Sequence, residues 1–364
     1  MAARKLMNAI HFQQISYIRI HYLYNVPTSE KTWDSGNSAP MNAVHFLQFP
    51  SLPPTQISKP IPILSIPSNV KSLRYPILSI PPSAKTNSAI ADDDACGIPA
   101  NQVKILAKFK SLHNQIRVLE VSRRADHPLA GSRLLLLDRP GNIHSISFLL
   151  QPFTSTYFDV FATLPPILPP GPIAILGFGA GSAARLLLHL HPNLEIHGWE
   201  LDHAVIAVAR EFFGLTKLEQ QYRGNLFIHI GDALAEPAVG HEFAGILVDL
   251  FQKGSVVPEL QDLETWGRLK RRLRRGGRVM VNCGGKCVEA EESRRDGEAV
   301  MKETVRAMSL GFGADQVFVE MLGYGEGDGC VAMTGRWPLD PVAWKRGLPK
   351  PLRAYVDSWR AFDG

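Results

Sequence analysis

The chain has 364 residues, enough for two or more domains with a sizeable core. With 45% hydrophobic and 20% charged residues it has a globular composition, and four cysteines are too few for a disulfide framework, which favours a reducing compartment. Residues 1–95 hold 8 Lys and Arg against 5 Asp and Glu, so only +2 of the formal charge of +5 belongs to the rest. This near-neutral remainder argues against nucleic-acid and membrane partners. No apolar span of about 18 residues predicts a transmembrane helix.

Residues 1–95 are predicted to form a disordered leader. Positions 35–91 contain no acidic residue, four basic residues, ten Ser and ten Pro, so they bury too little apolar surface to offset the entropy of folding. This acid-poor, Ser-rich composition indicates an organellar transit peptide, and the scarcity of Arg favours the chloroplast. A Pro-rich tail on a cytoplasmic protein is the alternative. Residues 7–12 nearly recur at 41–46, and we hypothesise that Met41 is the working start.

Residues 96–165 are predicted to form a small β-rich domain. Gln115–Val121 alternates polar and apolar residues, as a strand with one buried face does. Arg133–Asp138 and Ile143–Leu149 flank a Pro-Gly turn and predict a hairpin.

A short helix is predicted within residues 154–163, beginning at a Ser or Thr cap. It carries Tyr157, which we interpret as a residue lining a substrate pocket between two domains. The alternative is that Tyr157 packs in the core beside Phe158 and Phe161.

A glycine-rich turn opens the predicted nucleoside-binding domain, residues 166–340. Gly177, Gly179 and Gly181 follow an apolar strand and precede an apolar helix, so the backbone there can approach a ligand closely. Dinucleotide sites place the third glycine one residue later, at Ser182 in this chain. The observed spacing is typical of sites for S-adenosylmethionine.

Three carboxylates follow successive strands of this domain. Glu200 ends the second strand, where it can accept hydrogen bonds from both ribose hydroxyls of a nucleoside; a solvent-exposed strand end is the alternative. Asp232 follows the third strand, where an adenine amino group can donate to it. Asp249 ends the fourth. Because the carboxyl ends of parallel strands share one edge of the sheet, we expect the three to converge on one ligand.

The remaining elements complete a doubly wound sheet with an antiparallel end. A short turn between the last two strands requires an antiparallel pair, which argues against a nicotinamide dehydrogenase. The predicted elements are a helix with its apolar stripe at Leu260, Leu263, Trp266, Leu269 and Leu273, strand 278–282, helix 292–310, strands 316–321 and 329–334, and a carboxy-terminal tail, 341–364.

From about Val118 to Thr334 the chain resembles the spermidine synthase-like branch of the class I S-adenosylmethionine-dependent methyltransferase superfamily. The small β domain, the Tyr157 segment, the glycine turn and the three carboxylates occur in the order of that family. The resemblance implies an α/β fold: a Rossmann-like, seven-stranded, doubly wound sheet preceded by the small domain, in a dimer or larger assembly. It implies S-adenosylmethionine or its decarboxylated form as co-substrate. It also implies that Glu200 holds the ribose, Asp232 the adenine, and Asp249 the attacking amine.

The chain departs from the aminopropyltransferase pattern at three places. Ala180 replaces the aspartate that holds the aminopropyl ammonium, Phe158 replaces a glutamine, and the loop Asp249–Lys253 lacks the second aspartate and the proline. A polyamine cation needs such polar partners. We therefore expect methyl transfer to an amine or other small nucleophile. Aminopropyl transfer in polyamine biosynthesis is the alternative, and a non-catalytic nucleoside-binding homologue is another.

Two weaker patterns receive simple interpretations. Cys283 and Cys287, like His189 and His191, lack a second pair at zinc spacing, so no metal is expected. The basic run Arg268–Arg278 is interpreted as a solvated helix face, because an apolar stripe runs through it. The expected partner is a small-molecule acceptor, with neither nucleic acid nor membrane, and a homodimer is the expected assembly.

Overall fold

The computed structural model of the chain describes residues 98–139, 141–235, 242–292, 296–323 and 328–363. The predicted leader, with the repeat inside it, lies outside the described residues, and so does the middle of the predicted turn before the last long strand. The transit peptide and the alternative start therefore stay predictions.

The small β-rich region is a four-stranded antiparallel meander in the order β1-β2-β3-β4. The predicted hairpin is present as β3 and β4. The first strand was not predicted from the sequence, because it is an exposed edge strand whose register is interrupted by a bulge. The strands are β1 Val103–Lys110, β2 Gln115–Val121, β3 Ser132–Leu136 and β4 Ile143–Phe148.

The strands that follow build the main sheet and one small hairpin. They are β5 Ile173–Leu176, β6 Ile196–Glu200, β7 Leu226–Ile230, β8 Phe243–Val248, β9 Phe251–Gln252, β10 Ser255–Val256, β11 Leu273–Asn282, β12 Val317–Leu322, β13 Gly329–Thr334 and β14 Arg360–Ala361.

The main sheet has eight strands in the order β14-β12-β13-β11-β8-β5-β6-β7, and β9 pairs separately with β10. The five strands from β11 to β7 are parallel, whereas β13 runs antiparallel to both of its neighbours, as predicted for the closing pair. The sheet is therefore mixed α/β and Rossmann-like, which confirms the predicted fold class. It has one strand more than the seven expected, because the tail returns along the free edge of β12 as the two-residue β14.

Five of the α-helices in the described residues begin at a side-chain cap, and in the last of them the Asp340 side chain accepts from the Ala343 N–H. Thr156, Asp202, Asp262 and Asp296 each accept a hydrogen bond from a backbone N–H two residues further on. None of the helices in the described part of the chain is long and apolar enough to cross a membrane. The helices are α1 Tyr157–Phe161, α2 Ser182–Leu190, α3 His203–Phe212, α4 Leu215–Gln221, α5 Leu263–Arg271, α6 Gly297–Phe312 and α7 Pro341–Arg346.

Two details of the sequence interpretation around α5 are wrong. The predicted helical stripe is shorter than expected, since Leu263 is half exposed and Leu273 already belongs to β11. The basic run is not only a solvated face. Arg272 donates to the Ala233 carbonyl, and the buried Arg278 donates to the Thr334 carbonyl. These guanidinium groups therefore tie neighbouring segments together.

The core lies on both faces of the sheet, and strand β5 divides it. All four residues of β5 are buried, as expected of a central parallel strand covered on both sides. Ile173 and Ile175 pack with the small meander, α1 to α4 and the tail, whereas Ala174 and Leu176 pack with α5 and α6. The meander thus shares one continuous core with the face of the sheet that carries α2 and α3.

The carboxy-terminal tail packs against the segment that follows α1. The Trp344 indole is buried, and its Nε1 donates to the Thr163 carbonyl at 2.7 Å. We expect Trp344→Ala to lower the free energy of unfolding by about 3–5 kcal/mol, because it removes a large buried aromatic group. Trp344→Phe should cost less, about 1–3 kcal/mol, by leaving the carbonyl without its donor. Urea denaturation measures both.

The matched control is Leu339→Ala, since Leu339 is fully exposed in the same segment. It should leave stability unchanged. Equal midpoints for Trp344→Ala and Leu339→Ala would contradict the anchoring of the tail.

Candidate nucleoside and acceptor site

The predicted glycine turn joins β5 to α2 at the carboxyl edge of the sheet. Gly177, Gly179 and Gly181 have φ angles of +88°, +55° and +82°, which favour glycine. At two of these positions, close packing also requires a residue without a side chain. A Cβ on Gly177 would lie 2.1 Å from the Asp249 carbonyl oxygen, and one on Gly179 would lie 2.6 Å from Ser145 Oγ. The turn is therefore held between β8 and the small meander.

Glu200 faces this turn, as the sequence predicts. The Gly179 N–H donates to Glu200 Oε2 at 2.9 Å, and the Asp202 N–H donates to Oε1 at 3.0 Å. The Glu200 side chain is only 8% exposed. Burial raises its pKa above the usual value, and the nearby Asp202 charge adds to this, while the two backbone hydrogen bonds oppose it. The alternative of a solvent-exposed strand end is therefore wrong.

Asp232 lies at the same edge of the sheet, beyond β7. Ile230 pairs with Glu200, and Asp232 follows it by two residues. The Asp232 carboxylate is exposed, and its Oδ1 accepts from the Leu234 N–H at 2.8 Å. Two large apolar side chains at these strand ends, Leu201 and Ile230, are 50% and 54% exposed. This edge of the sheet therefore exposes both a carboxylate and apolar side chains.

Asp249 and Tyr157 meet on the other side of the glycine turn. The Tyr157 hydroxyl donates to Asp249 Oδ2 at 2.7 Å, and Asn282 Nδ2 donates to Oδ1 at 3.0 Å. Burial raises the pKa of Asp249 to about 6, although the hydrogen bonds from Tyr157 and Asn282 act to lower it. Burial, followed by the Asp249 charge, raises the pKa of Tyr157 well above its usual value, so its hydroxyl stays protonated. Tyr157 also contacts Phe158 and Phe161, as the core interpretation expects. Its place in a substrate pocket stays a prediction.

Two further residues of the site were missed from the sequence. Asn282 ends β11, next to the strand that leads to Asp249, and a polar residue at that strand end was the available signal. His144 is the second residue of β4, and its ring centroid lies 6.4 Å from that of Phe251, two residues after Asp249. Its charge is among the influences that lower the pKa values of Asp249 and Glu200. No spacing in the sequence connects His144 to either of them.

A buried aspartate fixes the position of His144. Asp138, only 2% exposed, accepts from the N–H groups of Gly141 and Asn142, and its Oδ2 lies 3.3 Å from His144 Nε2. Burial is the largest influence on the pKa of Asp138 and raises it. The hydrogen bonds and charge of His144, with the hydrogen bonds of Asn142, outweigh burial and leave this pKa below its usual value.

Of the three residues at which the sequence analysis predicts the loss of a polar group, Ala180 and Phe158 are buried and Gln252 is exposed. Ala180 is covered by the meander, and its N–H donates to Ser145 Oγ at 2.8 Å. The ring of Phe158 packs 4.2 Å from that of Tyr157, centroid to centroid. Gln252 is exposed in the β9–β10 hairpin. Ala180 and Phe158 are therefore core residues, whereas Gln252 is a surface residue.

Comparison with known proteins gives a consistent result. No protein-family model matches the chain. A probable polyamine aminopropyl transferase from Bifidobacterium longum is 24% identical over 175 residues, which is 48% of this chain and 36% of that protein. The chain thus matches little more than a third of the length of that relative.

Solved structures resemble a larger part of the chain. Spermidine synthase from Thermotoga maritima superposes with a TM-score of 0.52 at 19% identity, covering 70% of this chain and 84% of that one. A spermidine synthase in complex with the transition state analogue AdoDATO gives a TM-score of 0.50 at 20% identity, covering 71% and 84%.

These likenesses, together with the strand order, define the class of the protein. The chain has a class I S-adenosylmethionine-dependent methyltransferase-like fold. More particularly, the fold resembles that of the solved spermidine synthases, as the sequence predicts. The similar proteins named above are transferases, in keeping with the expected class of enzyme.

The contact between Gly177 and Asp249 generates a stability prediction. Gly177→Ala would place a methyl group against the Asp249 carbonyl at a positive φ angle. Gly276→Ala is the matched control, because Gly276 has a φ of +80° with nothing within 4 Å of its Cβ position. The control should cost about 1–2 kcal/mol for the φ angle alone. Gly177→Ala should cost about 1–3 kcal/mol more because of the overlap, as measured by urea denaturation.

Equal losses of stability in the two variants would contradict the close packing of the glycine turn on the chain after β8.

Proposed function

We propose that this protein is a transferase that binds a sulfonium nucleoside and transfers an aminopropyl group from it to an amine. The donor is decarboxylated S-adenosylmethionine, and the acceptor is a small amine of the polyamine class. The hydrogen-bonded pair of Asp249 and Tyr157, next to the glycine turn that Glu200 holds, is the observation that carries the proposal. The names of the similar proteins favour aminopropyl over methyl transfer.

The nucleoside half of the donor fits the edge formed by the turn and the ends of β6 and β7. Glu200 has one lone pair on each oxygen engaged by a backbone N–H, which leaves acceptor capacity for the two ribose hydroxyls. Asp232 accepts from an adenine amino group. Leu201 and Ile230 offer exposed apolar surface to the purine ring.

The acceptor half of the reaction is proposed to depend on Asp249. The amine nitrogen attacks the aminopropyl carbon that is bonded to the sulfonium sulfur. The bond between that carbon and the sulfur breaks, and its electron pair leaves with neutral methylthioadenosine. The amine proton passes to Asp249, whose pKa of about 6 leaves it mostly ionised at neutral pH yet basic enough to accept. Tyr157 and Asn282 orient one carboxylate oxygen each, so that the remaining lone pairs face the acceptor.

Methyl transfer from intact S-adenosylmethionine is the second candidate, and Ala180 favours it. An aminopropyl ammonium needs a counter-charge or acceptors, and the buried methyl group of Ala180 supplies neither. Asp249 would then accept the proton of an amine or other small nucleophile that takes the methyl group.

Donor preference separates these candidates. Titration calorimetry should give tighter binding of decarboxylated S-adenosylmethionine than of S-adenosylmethionine, by about ten-fold for each 1.4 kcal/mol of preference. Turnover with putrescine should then release methylthioadenosine. Preference for the intact donor would replace aminopropyl by methyl transfer. Binding of methylthioadenosine without turnover of any amine would favour a non-catalytic protein, and failure to bind any of the three nucleosides would refute the proposal.

The raised pKa of Asp249 predicts the pH dependence of the reaction. Because the carboxylate is the active form, kcat/KM should rise with pH through about 6 and then level. Tyr157→Phe removes a hydrogen bond that lowers this pKa, so the midpoint should move up by about one unit, at about 1.4 kcal/mol per unit. Initial rates from pH 5 to 9 measure both.

Asp249→Asn should abolish the low-pH limb together with most of the activity, because the amide cannot accept the proton. A wild-type profile that is flat between pH 5 and 7, or an active Asp249→Asn variant, would speak against this role of Asp249.

A further inference from the structure

The tip of the β1–β2 hairpin contacts the main sheet at one buried carboxylate. The Ser111 hydroxyl donates to Asp202 Oδ2, and Asn114 Nδ2 donates to the same oxygen at 2.8 Å. Asp202 is fully buried, with 0% of its surface exposed. A buried carboxylate needs donors, and two of the three described donors to the Asp202 carboxylate come from a hairpin about ninety positions away in the chain.

Asp202 connects the hairpin tip to the nucleoside side of the site through further hydrogen bonds. Its Oδ1 accepts from the Ala204 N–H at 3.0 Å and caps α3. Its own backbone N–H donates to Glu200 Oε1, while Glu200 Oε2 accepts from the Gly179 N–H. A continuous series of hydrogen bonds therefore runs from the hairpin tip through Asp202 and Glu200 to the glycine turn.

We propose that Ser111 and Asn114 are positioning residues for the donor site. They hold Asp202 in the orientation in which its N–H fixes the Glu200 carboxylate against the turn. The inference deepens the proposed function and rests on it, because Glu200 matters for binding only if a nucleoside occupies this edge. The small meander is then a working part of the nucleoside site as well as a neighbour of the acceptor cleft.

This role differs from simple packing in what it predicts. Loss of one donor should loosen Glu200 and the turn while the core of the sheet stays intact. Donor binding should weaken, and the Asp249 side of the cleft should keep its geometry. The KM for the donor should therefore rise about ten-fold for a lost hydrogen bond to a charged group, with kcat changed by less than about three-fold.

The first experiment needs no ligand. Hydrogen exchange of the full chain, read by mass spectrometry, compares wild type with Asn114→Ala, Ser111→Ala and the hydroxyl-retaining Ser111→Thr. His113→Ala is the matched control, because His113 is exposed in the same turn. Exchange in peptides covering 177–182 and 200–204 should speed up in the two truncated donors only, while 243–248 in β8 stays unchanged as an internal reference.

The second experiment measures binding of methylthioadenosine by calorimetry, and donor KM and kcat, in the same variants. Weaker binding in Asn114→Ala and Ser111→Ala, with Ser111→Thr and His113→Ala like wild type, supports the inference. Binding and exchange that match wild type in Asn114→Ala overturn it, as does faster exchange in β8 to the same extent as at the turn. If wild type binds no methylthioadenosine, the proposed function fails, and the exchange data alone still decide whether the hairpin holds Glu200.

Discussion

The rest of the site depends on how one buried carboxylate is held. Glu200 lies at the end of β6 with almost no exposed surface, and ionising it there is costly because burial disfavours the charged form. The N–H groups of Gly179 and Asp202 offset this cost and fix the two oxygens in space. The absence of a side chain at Gly179 lets the turn pack closely against Ser145 of the meander. Carboxylate and turn therefore determine each other's position.

Hydrogen bonds also offset the cost of burying Asp249. Asp249 is held by Tyr157 from the small α1 helix and by Asn282 from β11, so three separate segments must come together before its carboxylate is oriented. Burial raises its pKa to about 6, and the hydrogen bonds keep it from rising further. A carboxylate with this pKa combines an ionised resting state with real basicity, which is the condition for accepting a proton near neutral pH.

The overall fold and the individual side chains near the site give separate information about the function of this protein. The spermidine synthase-like architecture is retained at 19–20% identity to the solved spermidine synthases. Within that architecture, Ala180 and Phe158, two positions at which the sequence analysis predicts the loss of polar groups, are both packed into the core. His144, paired with the buried Asp138, lies beside Phe251 in the loop that follows Asp249. A shared fold positions the strand ends, whereas individual side chains determine which donor tail is accepted.

The sequence by itself determined the strands of the parallel part of the sheet, the antiparallel end, and the strand-end positions of Glu200 and Asp249, because apolar runs ending in glycine or acid are local patterns. It did not reveal the exposed strand β1, the eighth strand or the hydrogen bond from Asn282 to Asp249. Those contacts join segments from different parts of the chain, and no local spacing encodes them. Only the tertiary structure decided which polar groups meet, since burial and hydrogen-bond geometry depend on the packing of both sheets.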